Sequence, residues 1–194
     1  MNARKVSSPM HLGPDNIEWC TAVKYLGVHI ISGKNISFSI DYVKRSFFIA
    51  CNCIFSNCIH ANEIVHLTLQ ESYCLPILTY AMPAIDLKVK QICALNACWN
   101  SVFRKIFGFN KWESVRCFIH GLGRLDLVHI VMMRRHTFYR HLSSRVCSAL
   151  LKDIFWLYWL HNYVRDSCCK YVCLNIDSAV EHIRDDFSNS LNCN

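Results

Sequence analysis

No apolar run in this sequence approaches the roughly 20 residues needed to cross a bilayer. The longest, at 154–160, follows directly on Lys152 and Asp153, so no transmembrane helix and no membrane partner are expected. Residues 1–13 are polar, contain Arg4 and Lys5, and have no apolar core. They do not read as an export signal. The thirteen cysteines are therefore expected as reduced thiols in an intracellular setting, nuclear or cytoplasmic. A phosphate-cradling glycine loop is missing, and so are the G-x-S-x-G and H-E-x-x-H patterns. Those absences argue against P-loop, α/β-hydrolase and zinc-protease chemistry. Neither an internal repeat nor a low-complexity tract is present.

Metal-ligand spacing is also lacking. Cys51 and Cys53 are too close together for the usual zinc pair. Cys168, Cys169 and Cys173, with His161 upstream, have no second well-spaced pair. No metal site is expected, and the thiols read as small apolar side chains. His129, His136 and His141 are seven and five residues apart, which gives no tight ligand face. Each is expected to be either hydrogen-bonded or exposed. The only adjacent carboxylates are Asp185 and Asp186, just after Arg184. Two-metal catalysis requires carboxylates on rigid, converging elements, so this pair reads as a solvated surface.

What is present is apolar and, in one stretch, basic. Hydrophobic residues make up 53% and charged residues 18%, enough for a sizeable core in one domain, with or without an appendage. Residues 1–87 hold six basic and six acidic side chains. Residues 88–145 hold eleven basic and two acidic ones, Glu113 and Asp126, and residues 146–194 hold four and six. A basic block between balanced flanks is the footprint of a polyanion partner. A solvated helical face would have the same composition.

Residues 22–32 are β-rich, through Val23, Tyr25, Val28, Ile30 and Ile31. Gly27 within them suggests a bulge or a close backbone approach. Pro9, Gly13 and Pro14 mark an earlier loop, and residues 32–35 a turn. From Asp41, a plausible N-cap, the period becomes helical, with Val43, Phe47, Ala50, Cys51, Ile54 and Cys58 on one face. Asn62 should cap a second helix carrying Ile64, Leu67, Tyr73 and Leu75, which Pro76 should kink or end. A third helix is expected over 88–107, presenting Ile92, Leu95, Trp99, Val102, Phe103 and Ile106 and stopping at Gly108. A short helix fits 111–119. Asp126 should cap a fourth long helix to about 143, with Leu127, Ile130, Val131, Phe138 and Leu142 inward. An aromatic fifth helix fits 146–165, followed by a polar tail. Trp99 and Phe103 sit at core spacing; Trp112 lies in a connection between helices.

Several motifs occur in a distinctive order. Asn2-Ala3-Arg4-Lys5 comes first, then Val23-Lys24-Tyr25-Leu26-Gly27-Val28. Next is Glu71-Ser72-Tyr73-Cys74-Leu75-Pro76-Ile77-Leu78-Thr79-Tyr80-Ala81. There follow Leu95-Asn96-Ala97-Cys98-Trp99-Asn100, Arg104-Lys105-Ile106-Phe107-Gly108-Phe109, Lys111-Trp112-Glu113-Ser114-Val115-Arg116 and Gly121-Leu122-Gly123-Arg124-Leu125-Asp126. Over residues 2–145 this set resembles the C-terminal part of the reverse transcriptases of non-LTR (LINE-type) retrotransposons.

The resemblance implies a mainly α chain. A short N-terminal β hairpin, the remnant of a polymerase palm with primer-grip-like strands, would occupy 1–34. A helical thumb and connection would follow at 35–145, with an aromatic helix and tail at 146–194. It implies that Tyr25, Leu26 and Gly27 lie near the primer end. Lys5 would lie near the incoming nucleotide, as a proton donor to leaving pyrophosphate. The catalytic aspartates, their Mg2+ ions and the fingers would belong to a palm preceding Asn2, so no cofactor and no polymerase activity are expected of this chain alone. Its partners would be an RNA–DNA or RNA duplex and the missing palm and fingers. Arg104, Lys105, Lys111, Arg116, Arg124, Arg134, Arg135 and Arg140 would contact phosphates. The contrasting expectation is a domesticated or degenerate helical protein acting through protein–protein contact, which the apolar surplus would serve.

Overall fold

A two-stranded hairpin and a three-stranded sheet come first among the described elements of the computed structural model, which describes residues 10–17, 19–33, 36–85 and 87–143 together with 148–151, 153, 154, 157, 185 and 189. β1 (Met10–Leu12) and β2 (Asp15–Ile17) form an antiparallel hairpin. Its turn is Gly13-Pro14, where Gly13 supplies a φ of 64°. β3 (Ala22–Tyr25), β4 (Val28–Ile31) and β5 (Ser37–Ser39) form a separate three-stranded antiparallel sheet in sequential order. The expected continuous β stretch over 22–32 is thus two strands, with Tyr25 opposite Val28.

Leu26 and Gly27 are the whole turn, with φ of 45° and 78°. Positive φ at both central residues is the type I′ pattern, whose twist matches that of the flanking strands. Gly27 therefore serves the turn, not a bulge. Leucine in this region is strained by about 1 kcal/mol or more. Replacing Leu26 with glycine should stabilise the hairpin by about 0.5–1 kcal/mol, after allowing for glycine's freer unfolded chain. Hydrogen-exchange protection of the β3–β4 amides should rise accordingly. A fall in protection would mean that the leucine side chain supports the sheet.

The chain divides into two compact units, Met1–Ser39 and Ile40–Asn194. The second is helical throughout its described elements, so the fold is mainly α with short N-terminal strands. α1 (Asp41–Asn57) buries Phe47 and Cys51, on the expected face. Its N-cap is Ile40, not Asp41, because the Lys44 N–H already bonds to the Ile40 carbonyl. Asp41 instead sets a negative charge in the first turn, at the positive end of the helix dipole.

α2 (Glu63–Leu69) is capped as expected: Asn62 Oδ1 accepts the Val65 N–H at 2.8 Å. Pro76 does not end this helix. A π turn, Gln70–Cys74, follows α2 and leads directly into α3 (Leu75–Thr79). Proline has no N–H and its ring collides with the carbonyl four residues back. Widening the turn, so that the Leu75 N–H bonds to the Gln70 carbonyl, accommodates it. Leu67, Gln70, Cys74 and Leu78 then face inward, while Ile64 and Tyr73, expected on the same face, are exposed.

α4 (Val89–Phe107) is the central helix. It buries Leu95, Cys98, Trp99, Val102 and Phe103. The Lys88 N–H bonds to Gln91 Oε1 at its start. Gly108, at a φ of 70°, ends it, with the Phe109 N–H returning to the Arg104 carbonyl. Trp99 packs edge-on against Phe103 at 5.4 Å and Phe47 at 6.4 Å. Phe118 then joins Phe107 and Phe109, at 4.6 and 4.9 Å. The short helix expected at 111–119 begins later, as α5 (Arg116–Gly121), because a side-chain-locked turn occupies 110–113.

α6 (Leu127–Ser143) packs on α4. Asp126 caps it by accepting the His129 N–H at 3.1 Å, and Asn96 on α4 accepts the Leu127 N–H at 3.1 Å. Leu127, Val131 and Tyr139 are buried, with Ile130, Phe138 and Leu142 half-buried. His129 donates from Nδ1 to Asp126, and His141 is exposed. His136 departs from expectation: it is buried, and neither ring nitrogen has a hydrogen-bond partner among the described residues. Burial, with the Arg140 charge adding, pushes its pKa down, so it sits neutral in the core. The fifth helix expected at 146–165 and the tail lie outside the described residues except at isolated positions.

Candidate nucleic-acid interface

The basic block spans α4, the connection after it and α6. Its two carboxylates are both committed internally. Glu113 accepts the Asn110 N–H at 2.7 Å through Oε2 and the Asn110 amide at 2.9 Å through Oε1. Those bonds hold its carboxyl below the ordinary value. Asp126 is 2% exposed and receives both the backbone and the ring N–H of His129. Burial pushes its carboxyl up, but the His129 bonds and the Arg116 charge prevail and hold it low. Asp126 is thus withdrawn from the surface, whereas Glu113 stays an exposed, ionised carboxylate whose hydrogen bonds close the turn.

The cations are not equivalent. Arg135 donates Nη2 to the Ile85 carbonyl at 3.0 Å and Nε to the Met82 carbonyl at 3.4 Å. It ties α6 to the turn after α3, a structural duty. Arg124 pairs with Glu71 on the π turn at 2.8 Å, with both side chains partly exposed. Arg104 donates Nε to the Glu113 carbonyl at 2.9 Å. Lys105 reaches Asn52 Oδ1 at 3.2 Å and lies 4.1 Å over the Phe55 ring, bridging α4 to α1 while remaining exposed. Lys111 lies 5.0 Å over the Trp112 ring. Arg134 on α6 is exposed, whereas Arg116 and Arg140 are half-buried. Lys88 and Lys90, which lie outside the expected phosphate-contacting set, are exposed at the start of α4.

In the other unit, Tyr25 and Leu26 are 64% and 71% exposed at the hairpin apex beside Gly27. Leu26 holds a left-handed φ at this solvent-facing turn, a conformation that leucine disfavours. Lys5 lies outside the described residues, as do Cys168, Cys169, Cys173 and His161.

Trp99 and Phe103 are buried as their spacing requires. Trp112 stands in solvent, which periodicity could not reveal because it lies between helices. The exposed Tyr73 and Tyr80 also escaped sequence reasoning, since the π turn rotates the helix around them. Cys51 is buried and Cys53 exposed, consistent with near-neighbours on a helix pointing apart. Among the described residues no group of histidine, cysteine and carboxylate side chains could hold a metal ion, and no helix is long and apolar enough to cross a membrane. Comparison with family models, curated proteins and solved structures returns no match.

Proposed function

We propose that this chain supplies template–primer duplex binding as the thumb-like portion of a non-LTR retrotransposon reverse transcriptase. The observation that carries the reading is electrostatic. Eleven cations stand against two carboxylates in this block, Asp126 is buried, and Lys88, Lys90, Lys105, Lys111 and Arg134 reach solvent. A hybrid duplex is held through its phosphates and shape more than through base edges, and exposed cations suit that task. The ordered sequence motifs and the exposed apex at Tyr25 and Leu26 support the same reading.

Polymerase chemistry would need Mg2+ on a pair of palm aspartates. The described residues do not fit such a site, and the sequence has no adjacent aspartates ahead of Lys24-Tyr25-Leu26-Gly27. No catalytic step is therefore assigned to this chain.

Fluorescence anisotropy with a labelled RNA–DNA hybrid tests the reading. The protein should bind at low salt, and the double variant Lys111→Ala/Arg134→Ala should bind about tenfold more weakly. An exposed apolar set on α2 and the segment after it (Ile64, Val65, Tyr73 and Tyr80) favours a second reading, contact with another protein. That reading predicts no hybrid binding even at low salt.

A further inference from the structure

The turn between α4 and α5 is built to hold an indole out in water. Trp112 is 88% exposed, the most exposed large apolar side chain among the described residues. The backbone beneath it is fixed at both ends. Glu113 closes the turn on Asn110 through both carboxylate oxygens, and its own N–H returns to the Asn110 carbonyl at 3.1 Å. Arg104 clamps the Glu113 carbonyl from α4. Phe109, just before the turn, is anchored on Phe118. A floppy loop would let the indole fold back onto apolar surface; this one holds it away.

Holding phosphates requires no indole. Stacking on a nucleobase uses an exposed aromatic face, and every base offers a π face whatever its identity. Bases inside a duplex have both faces covered by their neighbours, so the indole can find a partner only on an unpaired or terminal base. The Lys111 ammonium lies 5.0 Å from the ring centroid. It covers one face of the indole and leaves the other open to solvent, with the Arg104 guanidinium bonded to the same turn. The Glu113 carboxylate of the same turn faces back onto Asn110, and an aromatic platform with a cation beside it is the arrangement that holds single strands.

We propose that Trp112 is a stacking platform for an unpaired nucleobase adjoining the bound duplex, with Lys111 and Arg104 drawing in the neighbouring phosphates. The inference rests on the duplex-binding reading above and adds a site that reads where pairing ends.

Three labelled ligands separate the possibilities: a blunt RNA–DNA hybrid, the same hybrid with a short single-stranded overhang, and that hybrid with the overhang made abasic. The wild-type protein should prefer the base-bearing overhang over the other two by roughly fivefold or more. Trp112→Ala should bring that ratio close to one, and Trp112→Phe should keep most of it. Equal binding of all three ligands by the wild type, or a preference that survives Trp112→Ala, overturns this inference alone. Failure of the wild type to bind any of the three overturns the duplex-binding reading along with it.

Discussion

Replacing Trp99 with alanine should lower the unfolding free energy by about 3–5 kcal/mol, the usual cost of deleting a large aromatic from a packed core. Trp99 is 1% exposed on the central helix, between Phe47 of α1 and Phe103 of its own helix. Its loss leaves a void that α1 and α4 cannot both close. A single domain is typically stable by only about 5–15 kcal/mol, so the change should remove a large share of the stability and lower the urea midpoint by about 1–4 M. Trp99→Phe should cost much less. It keeps an aromatic ring in the cluster and removes an indole N–H that has no acceptor among the described residues. Comparable losses for the two variants would show that the indole nitrogen, and not packing, is what matters there.

Asp126→Ala should cost about 2–3 kcal/mol. It removes the cap of α6, worth about 1 kcal/mol, and strips the buried His129 ring of the acceptor for its Nδ1 proton. Asp126→Asn should be milder, since an amide oxygen still caps. The pH dependence has a definite sign. The folded state holds this carboxyl below its ordinary value of 3.8, so its contribution is fully present above that pH. It is lost as pH falls through the lower, folded value. Acid denaturation monitored by circular dichroism should therefore lose part of its steepness in Asp126→Asn. An unchanged acid limb would contradict the assigned role of the carboxylate.

Both residues were legible in the sequence, and for the same reason. Trp99 lies on a strongly periodic stretch that Gly108 ends, and Asp126 precedes another such stretch at cap position. Asn62 is a further case, whereas Asp41, read in the same way, proves to lie one residue inside its helix. Where two signals compete, the structure decides. Pro76 ordinarily breaks a helix, but the π turn before it absorbs the clash, and the resulting rotation exposes Tyr73. Leu26 has no intrinsic preference for a left-handed turn; the pairing of β3 with β4 imposes it. β5, three residues long around Phe38, is too short to show alternation and exists because β4 offers it an edge.

The candidate interface was only half legible. Charge counting finds the basic block but cannot tell a strap from a contact. Arg135 and Arg134 are adjacent in sequence, yet one is bound to the carbonyls of Met82 and Ile85 while the other is exposed. That difference depends on which turn packs beside α6, a tertiary fact. His136 likewise reads as an ordinary polar residue until α6 is packed.

The most direct test of the account is the salt dependence of hybrid binding by the full chain. Observed affinity should fall linearly with salt on logarithmic axes, with a slope of about −3 to −5 for four or five phosphate contacts. Lys111→Ala/Arg134→Ala should make that slope shallower by about 2, one unit per cation removed. Binding that is insensitive to salt, or no binding at low salt, would contradict the claim that this helical unit holds a nucleic-acid duplex by its phosphates.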